Sequence, residues 1–192
     1  AVGGDGTVHD LLNGLMRQND VSSKELYITT FPLGTGGDWA KMYGIQQGVD
    51  NFIQILKDGK DVVQDLGYIQ YTYEKQQADK YFINVVGLGY DAFVVKETMN
   101  QDKGGMMVSA FYLLTALKSL NLYQPQETHL IAPNFEKKRT ALLSNVGICK
   151  YSGGGMSLVP KAQPQDGLFD VTLIEGLSFF QVLLHLIKLY NG

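Results

Sequence analysis

One cysteine, Cys149, stands among 192 residues. No internal disulfide can brace the chain, and so sparing a use of thiols fits a reducing compartment. Arginine is nearly as scarce, with Arg17 and Arg139 the two examples. Lys and Arg total 16 against 19 Asp and Glu, a formal net charge of −3. No basic stripe is present to neutralise a phosphate backbone, which disfavours nucleic acid as a partner. No stretch reaches the roughly 20 uninterrupted apolar residues that span a bilayer. The nearest, Leu177 to Tyr190, places Ser178, Gln181, His185 and Lys188 on one stripe of a helix. Two readings of it stand: a helix buried against protein, or an interfacial helix touching lipid. Disorder is disfavoured as well, because 45% apolar and 18% charged residues are globular values.

Glycine is plentiful, 22 residues, and clustered. The chain opens Ala1-Val2-Gly3-Gly4 and stops at Tyr190-Asn191-Gly192 after an apolar segment. Ala1-Val2 reads as the last piece of a buried strand, so an internal fragment of a longer chain is expected. Val8 to Arg17 has helical apolar spacing. Leu26 to Phe31 is rich in β-formers and reads as a short buried strand. A glycine-rich turn follows, Pro32 to Asp38, and a helix from Trp39 to Tyr43 with Asp38 as its N-cap. This is the grammar of an open α/β sheet.

The character then changes. Val62 to Tyr73 and Lys80 to Val86 read as strands around a polar turn, Glu74 to Asp79. Met107 to Leu122 reads as a helix. Gln126 to Ala132 and Arg139 to Cys149 read as strands around a loop, Pro133 to Lys138, and Leu168 to Ile174 as another. The expected architecture is an α/β part, residues 1–50, followed by an antiparallel β-rich part, residues 51–192.

Two constellations carry chemistry. Gly3-Gly4-Asp5-Gly6-Thr7 lies between a strand end and a helix start. Glycines there let backbone N–H groups face a ligand, and the helix adds its positive end, so phosphate is the natural guest. Asp5 would repel phosphate unless it meets a metal, a proton or a ribose hydroxyl; otherwise it is a turn cap. Pro32-Leu33-Gly34-Thr35-Gly36-Gly37-Asp38 is a second strand-to-helix loop about 30 residues on. Successive loops of this kind gather at the carboxyl edge of an α/β sheet, where ligands bind.

GGDGTVHDLLNGL, Gly3 to Leu15, followed by PLGTGGDWAK, Pro32 to Lys41, resembles the diacylglycerol kinase catalytic-domain family of lipid kinases. Further blocks agree in order. Asn84-Val85-Val86-Gly87-Leu88-Gly89-Tyr90-Asp91-Ala92 is similar to the block opening the family's lipid-binding domain. Gly153-Gly154-Gly155-Met156, Pro160, Ala162 and Asp166-Gly167-Leu168 are similar to its late block. The chain departs from the pattern where Asp10 replaces Glu, where Gly37 and Lys41 replace Asn and Arg, and where Gln165 replaces an acid.

The resemblance implies an NAD kinase-like α/β nucleotide-binding domain followed by a β-sandwich domain. It implies an ATP-dependent lipid kinase that moves the γ-phosphate to a hydroxyl of diacylglycerol or a related membrane lipid, with Mg²⁺. The protein would be cytoplasmic and transiently at the inner face of the membrane, making peripheral contact. Gly4, Asp5, Gly6, Thr7, Val8, His9, Asp10 and Thr35 would line the ATP site, with Asp5 a candidate catalytic residue. Gln163, Asp166 and Leu168 match positions that bind a structural Mg²⁺; the alternative is a plain Asp-Gly turn. Asp91 reads as a ligand for the lipid head or metal, or as a turn cap. The family's Asp-Gly-Glu motif, bearing the general base, does not occur here and is expected after Gly192. Two other functions stay open: an NAD kinase-like enzyme, or a non-catalytic nucleotide- or lipid-binding module.

Overall fold

The computed structural model describes residues 1–33, 37–99, 108–176 and 181. The expected helix over Leu177 to Tyr190 lies outside the described residues, Gln181 excepted, as does Thr35.

The chain begins with a strand–helix–strand unit: β1 (Val2–Gly3), α1 (Asp5–Leu15) and β2 (Phe31–Pro32). The strands are parallel, Val2 opposite Phe31 and Gly3 opposite Pro32, the α/β connection the sequence predicts. Helix α1 buries Val8, Leu12 and Asn13. It starts three residues before the expected Val8, because Gly6 sits in its first turn despite its poor helix propensity. The expected strand Leu26–Phe31 is corrected: only Phe31 of it pairs. A 3₁₀ turn, Ser23–Glu25, and extended chain precede it. β-Propensity makes a strand only where a partner's N–H and C=O groups are offered, and β1 offers two positions.

Helices α2 (Asp38–Met42) and α3 (Val49–Asp58) follow, then the antiparallel pair β3 (Gly67–Tyr73) and β4 (Gln76–Phe82). The expected polar turn Glu74–Asp79 shrinks to two residues. Glu74 and Lys75 both have positive φ, +48° and +65°, the signature of a two-residue hairpin turn matched to strand twist. Residues 76–79 stay in the ladder, and residues 62–66 precede β3 without pairing.

Asn13 docks α1 on this hairpin. Its Nδ2 donates to Tyr81 O at 2.9 Å and its Oδ1 accepts from Tyr81 N at 2.9 Å. The amide thereby acts as a one-residue strand partner for the edge of β4. Asn13→Ala leaves both groups of Tyr81 without that partner, and a loss of about 2 kcal/mol is expected. Urea unfolding checks it; an unchanged midpoint would refute the docking role.

The remaining elements are β5 (Val85–Gly89), α4 (Tyr90–Met99), α5 (Val108–Ser119), β6 (Gln126–Ala132), β7 (Phe135–Gly147), β8 (Tyr151–Ser152), β9 (Met156–Ser157) and β10 (Asp170–Glu175). Strand β6 falls where expected, and α5 within its expected range. Gly87-Leu88-Gly89 is the end of β5, leading straight into α4. The expected strand from Arg139 begins at Phe135, because the hairpin turn occupies two residues, Pro133 and Asn134.

The chain forms two units, interleaved in sequence. Residues 1–85 and 147–170 make the first; residues 86–146 and 171–192 make the second. The second is built on a sheet ordered β10-β7-β5, with β6 antiparallel to β7. Its core joins Tyr90 and Val94 of α4 to Leu142 and Leu143 of β7, with Ala116, Leu120, Tyr123 and Ile174 packed around them. The fold class is thus α/β plus an antiparallel β-rich part, as the sequence predicts.

Candidate active site

The site candidates of the first unit gather around the start of α1. Gly3 has φ +155°, and a Cβ there would stand 2.2 Å from Thr7 Oγ1. Only glycine lets the Thr7 hydroxyl lie against the loop backbone. Gly4 is the N-cap, in extended conformation, and makes no side-chain cap. The N–H groups of the first turn therefore keep their open, positive end. Gly6 and Thr7 are exposed there. A glycine-rich strand-to-helix turn with an uncapped helix behind it is suited to an anion, phosphate above all.

Asp5 does something the sequence reading missed. Its Oδ2 accepts from Asp38 N and its Oδ1 from Trp39 N, both at 3.0 Å. Asp5 thus caps α2, a helix 33 residues away in sequence. Its charge is engaged by two backbone donors, which answers the repulsion that a carboxylate beside a phosphate loop would otherwise cause.

Asp38 was expected to cap its own helix. The structure corrects this: Gly37 is the N-cap and Asp38 the first helical residue. Its buried side chain (7% exposed) reaches the glycine triplet. Gly154 N donates to Oδ2 at 3.0 Å and Gly155 N to Oδ1 at 2.5 Å. Gly153, Gly154 and Gly155 all have positive φ, +73°, +86° and +96°. That conformation turns successive N–H groups toward one anion, and glycine adopts it without strain. One helical turn on, Lys41 Nζ donates to Gly155 O at 2.8 Å and lies 4.2 Å from the Tyr151 ring centre. Burial pushes the Asp38 carboxyl up, as does the nearby Asp5 charge, while the two glycine N–H groups and Lys41 pull it back.

A further residue without a sequence signal, Gln64, holds Trp39 of α2 and Tyr43 just after it. Gln64 Oε1 accepts from both Trp39 Nε1, at 2.8 Å, and Tyr43 Oη, and its Nε2 donates to Ile83 O at 2.6 Å. Burial drives the Tyr43 hydroxyl well above its ordinary range, so it remains a donor.

The other named residues are distributed as follows. Val8 is a core residue whose N–H closes the first turn on Gly4 O. His9 is half-buried, and its carbonyl accepts from Asn13 Nδ2 at 3.0 Å. Asp10 is exposed on α1. The structure brings Gly4, Asp5, Gly6 and Thr7 together; Val8 supports them from below.

Gln163, Asp166 and Leu168 lie on an exposed turn of the same unit. Asp166 Oδ1 accepts from Leu168 N at 3.0 Å, an Asx turn, with Gly167 at φ +72°. Asp65, unforeseen, accepts from Gly167 N at 2.7 Å, and its own N–H donates to Pro164 O. Among the described residues, no three His, Cys, Asp or Glu side chains gather as a metal cluster. The donors here are carboxylate, amide and carbonyl oxygens, a set that suits a hard divalent cation.

In the second unit, Asp91 occupies the first turn of α4. A Cβ on Gly87 would stand 2.6 Å from Asp91 Oδ2 and 3.2 Å from Asn145 Oδ1. Asn145 is fully buried, and among the described residues its amide meets no partner with hydrogen-bonding geometry. Burial pushes the Asp91 carboxyl up, and the nearby Asn145 amide pulls it back. Cys149 is fully buried, and burial pushes its thiol up to about 12.

Residues 1–69 match the model of the diacylglycerol kinase catalytic domain, and residues 84–192 that of the YegS C-terminal NAD kinase beta sandwich-like domain. The chain is 28% identical over 180 residues to a protein of Shewanella frigidimarina (strain NCIMB 400) named probable lipid kinase YegS-like. That match covers 94% of this chain and 55% of the relative. A protein of the same name from Yersinia pestis (strain Pestoides F) is 28% identical over 192 residues, 100% of this chain and 61% of the relative. The fold is similar to the crystal structure of a diacylglycerol kinase from Bacillus anthracis str. Sterne. The TM-score is 0.67 at 21% identity, covering 97% of this chain and 59% of that one. The chain thus spans between 55% and 61% of the length of these relatives.

Proposed function

The chain belongs to the family of the YegS C-terminal NAD kinase beta sandwich-like domain, and on that premise we propose that the whole protein is an ATP-dependent lipid kinase. It would transfer the γ-phosphate of ATP to a hydroxyl of diacylglycerol or a related lipid. The observation that carries this reading is the uncapped start of α1 behind Gly3–Thr7, held to α2 by Asp5.

In this reading the first-turn N–H groups of α1 and the Thr7 hydroxyl hold the phosphates. Phosphoryl transfer depends chiefly on positioning and charge neutralisation, so a rigid cradle is what the protein must supply. Asp5 acts on geometry: it fixes α2, and Thr35 in the preceding loop would complete the nucleotide contacts. Asp10 and His9, on the next turn of α1, would flank the nucleotide. Mg²⁺, when bound, supplies charge neutralisation, and Gln163, Asp166 and Leu168 would hold a structural ion of that kind, with Asp65 beside them. The residue taking the proton from the lipid hydroxyl would lie in an Asp-Gly-Glu motif after Gly192. The lipid would reach the protein by peripheral contact at the cytoplasmic face of the membrane; no described helix is long and apolar enough to cross a membrane.

The test uses the full-length protein, labelled ATP and mixed micelles containing diacylglycerol or a sphingoid base, beside NAD as an alternative acceptor. Labelled phospholipid is expected. Phosphorylation of NAD alone would replace this reading with an NAD kinase-like one, and nucleotide binding without transfer would replace it with a binding module.

A further inference from the structure

Strands β6 and β7 form a hairpin whose end does not belong to the core. From Phe135 to Thr140 the residues of β7 are exposed or half-buried; the next five, Ala141 to Asn145, are buried. No residue of β6 is buried. The ladder runs through seven pairs, from Gln126 opposite Ala141 to Ala132 opposite Phe135, about 20 Å at the usual rise. The hairpin is therefore an arm, its base in the core and its tip in solvent.

The flanks of the tip have the wrong chemistry for a solvent-facing turn. The two turn residues, Pro133 and Asn134, are ordinary for a hairpin end; the large apolar residues flanking them are not. Here the sequence is Ile131-Ala132-Pro133-Asn134-Phe135. Ile131 is 72% exposed and Phe135 52%. Ile131 is paired with Glu136, and Phe135 with Ala132. Ile131 and Phe135 therefore sit on opposite faces of the ladder, so each face of the arm's end presents one large apolar side chain, Ile131 beside Glu136, whose carboxylate is met by His129 at 2.7 Å. Packing against one neighbouring face would account for one of them, not both.

One residue behind Phe135, past Glu136, comes Lys137-Lys138-Arg139, the longest run of cations in a chain of net charge −3. These residues stand two to four positions from Phe135, about 7–14 Å along the strand. Their counter-charges are exposed: Lys138 meets Glu127 at 2.9 Å and Arg139 meets Glu175 at 3.4 Å. Such pairs contribute little in water and yield to a stronger anion. Among the described residues Lys137 forms no ion pair.

We propose that the β6–β7 hairpin is a membrane-docking arm: Ile131 and Phe135 enter an anionic lipid surface while Lys137, Lys138 and Arg139 meet its phosphates. The order of an apolar end followed by a cationic collar matches the order of acyl chains and headgroups from inside a bilayer outward. A second copy of the chain, itself acidic, would satisfy the collar but offers no reason for a large apolar side chain on each face of the tip. The proposal deepens the peripheral membrane contact of the kinase reading and rests on it for its lipid partner; its test, run without ATP or turnover, can fail while the kinase reading stands.

The test is co-sedimentation of the full-length protein with phosphatidylcholine–phosphatidylglycerol vesicles, beside phosphatidylcholine alone, without nucleotide. The protein is expected to bind the anionic vesicles, less so as salt rises. Ile131→Ser with Phe135→Ser should lower partitioning about tenfold or more. Lys137→Glu with Lys138→Glu should weaken binding to anionic vesicles and flatten the salt dependence. Should the serine variant fold poorly by circular dichroism, Phe135→Trp decides: its emission should shift to the blue on anionic vesicles. Unchanged partitioning of well-folded double variants, or tryptophan emission that vesicles do not move, overturns the proposal. A dimer in sedimentation velocity that the serine substitutions dissolve overturns it in favour of a second copy.

Discussion

Asp5→Asn in the full-length protein is expected to cut lipid phosphorylation by roughly 10²-fold or more, about 2.7 kcal/mol of transition-state stabilisation. The two Asp5 oxygens each accept one backbone N–H from the first residues of α2. An asparagine offers one acceptor and one NH₂. One of its two contacts becomes donor against donor, so α2 must turn or withdraw. Helix α2 follows the loop that contains Thr35 and carries Asp38 and Lys41 onto the glycine triplet. A misplacement at Asp5 is therefore felt along the whole helix, and orientation errors of this kind are costly in phosphoryl transfer. The fold itself should survive, because losing a cap costs on the order of 1 kcal/mol. The measurements are turnover in mixed micelles and the urea midpoint of the same preparation. Near-wild-type turnover with an intact fold would sink the active-site assignment.

Asp5 also shows where sequence reading reached its limit. Three glycines and an acid at a strand-to-helix junction were enough to place the loop. The acid's partners were not legible, since they are backbone N–H groups 33 and 34 residues away, and any residue but proline carries an N–H. Asp38 was misassigned for the same reason. An aspartate just before a helical segment reads as its cap, and nothing local shows that it faces Gly154 and Gly155, more than 110 residues on. The glycine triplet is both a turn and a donor of two N–H groups to Asp38, and nothing in its own sequence names that partner. Asn13 and Gln64 carried no signal, because an amide inside an apolar pattern looks like an exposed position. Secondary structure was legible where burial imposed a pattern. Elsewhere punctuation did the same: Gln126–Ala132, none of it buried, is bounded by Pro125 and Pro133 and fell in place. Gln76–Asp79, strand residues exposed or half-buried on an outlying hairpin, read as loop because no core demanded alternation there.

Asp38→Ala is expected to destabilise the first unit by about 2 kcal/mol, and to impair lipid phosphorylation at least as much as the Asp5 change. Removing the carboxylate strips the partner from Gly155 N, which is buried, and from Gly154 N, which water can reach. Against that stands the relief of no longer holding a charge in a buried place, which keeps the loss from being larger. Asp38→Asn separates the two effects through pH. Burial raises the Asp38 carboxyl above its ordinary value of 3.8 despite the glycine N–H groups and Lys41. A raised carboxyl means that the folded state binds a proton more readily than the unfolded one. This group's favourable contribution is therefore fully present below 3.8 and is lost as pH rises through the raised value. Since the asparagine side chain does not titrate, the stability of the wild type relative to Asp38→Asn should increase on acidification from neutral pH through that window. Paired urea titrations across it provide the measurement. A relative stability that instead falls on acidification would mean that the two N–H bonds outweigh burial. The Asp38 carboxylate would then be the favoured form in the fold, and the balance drawn here between burial and the glycine triplet would be wrong.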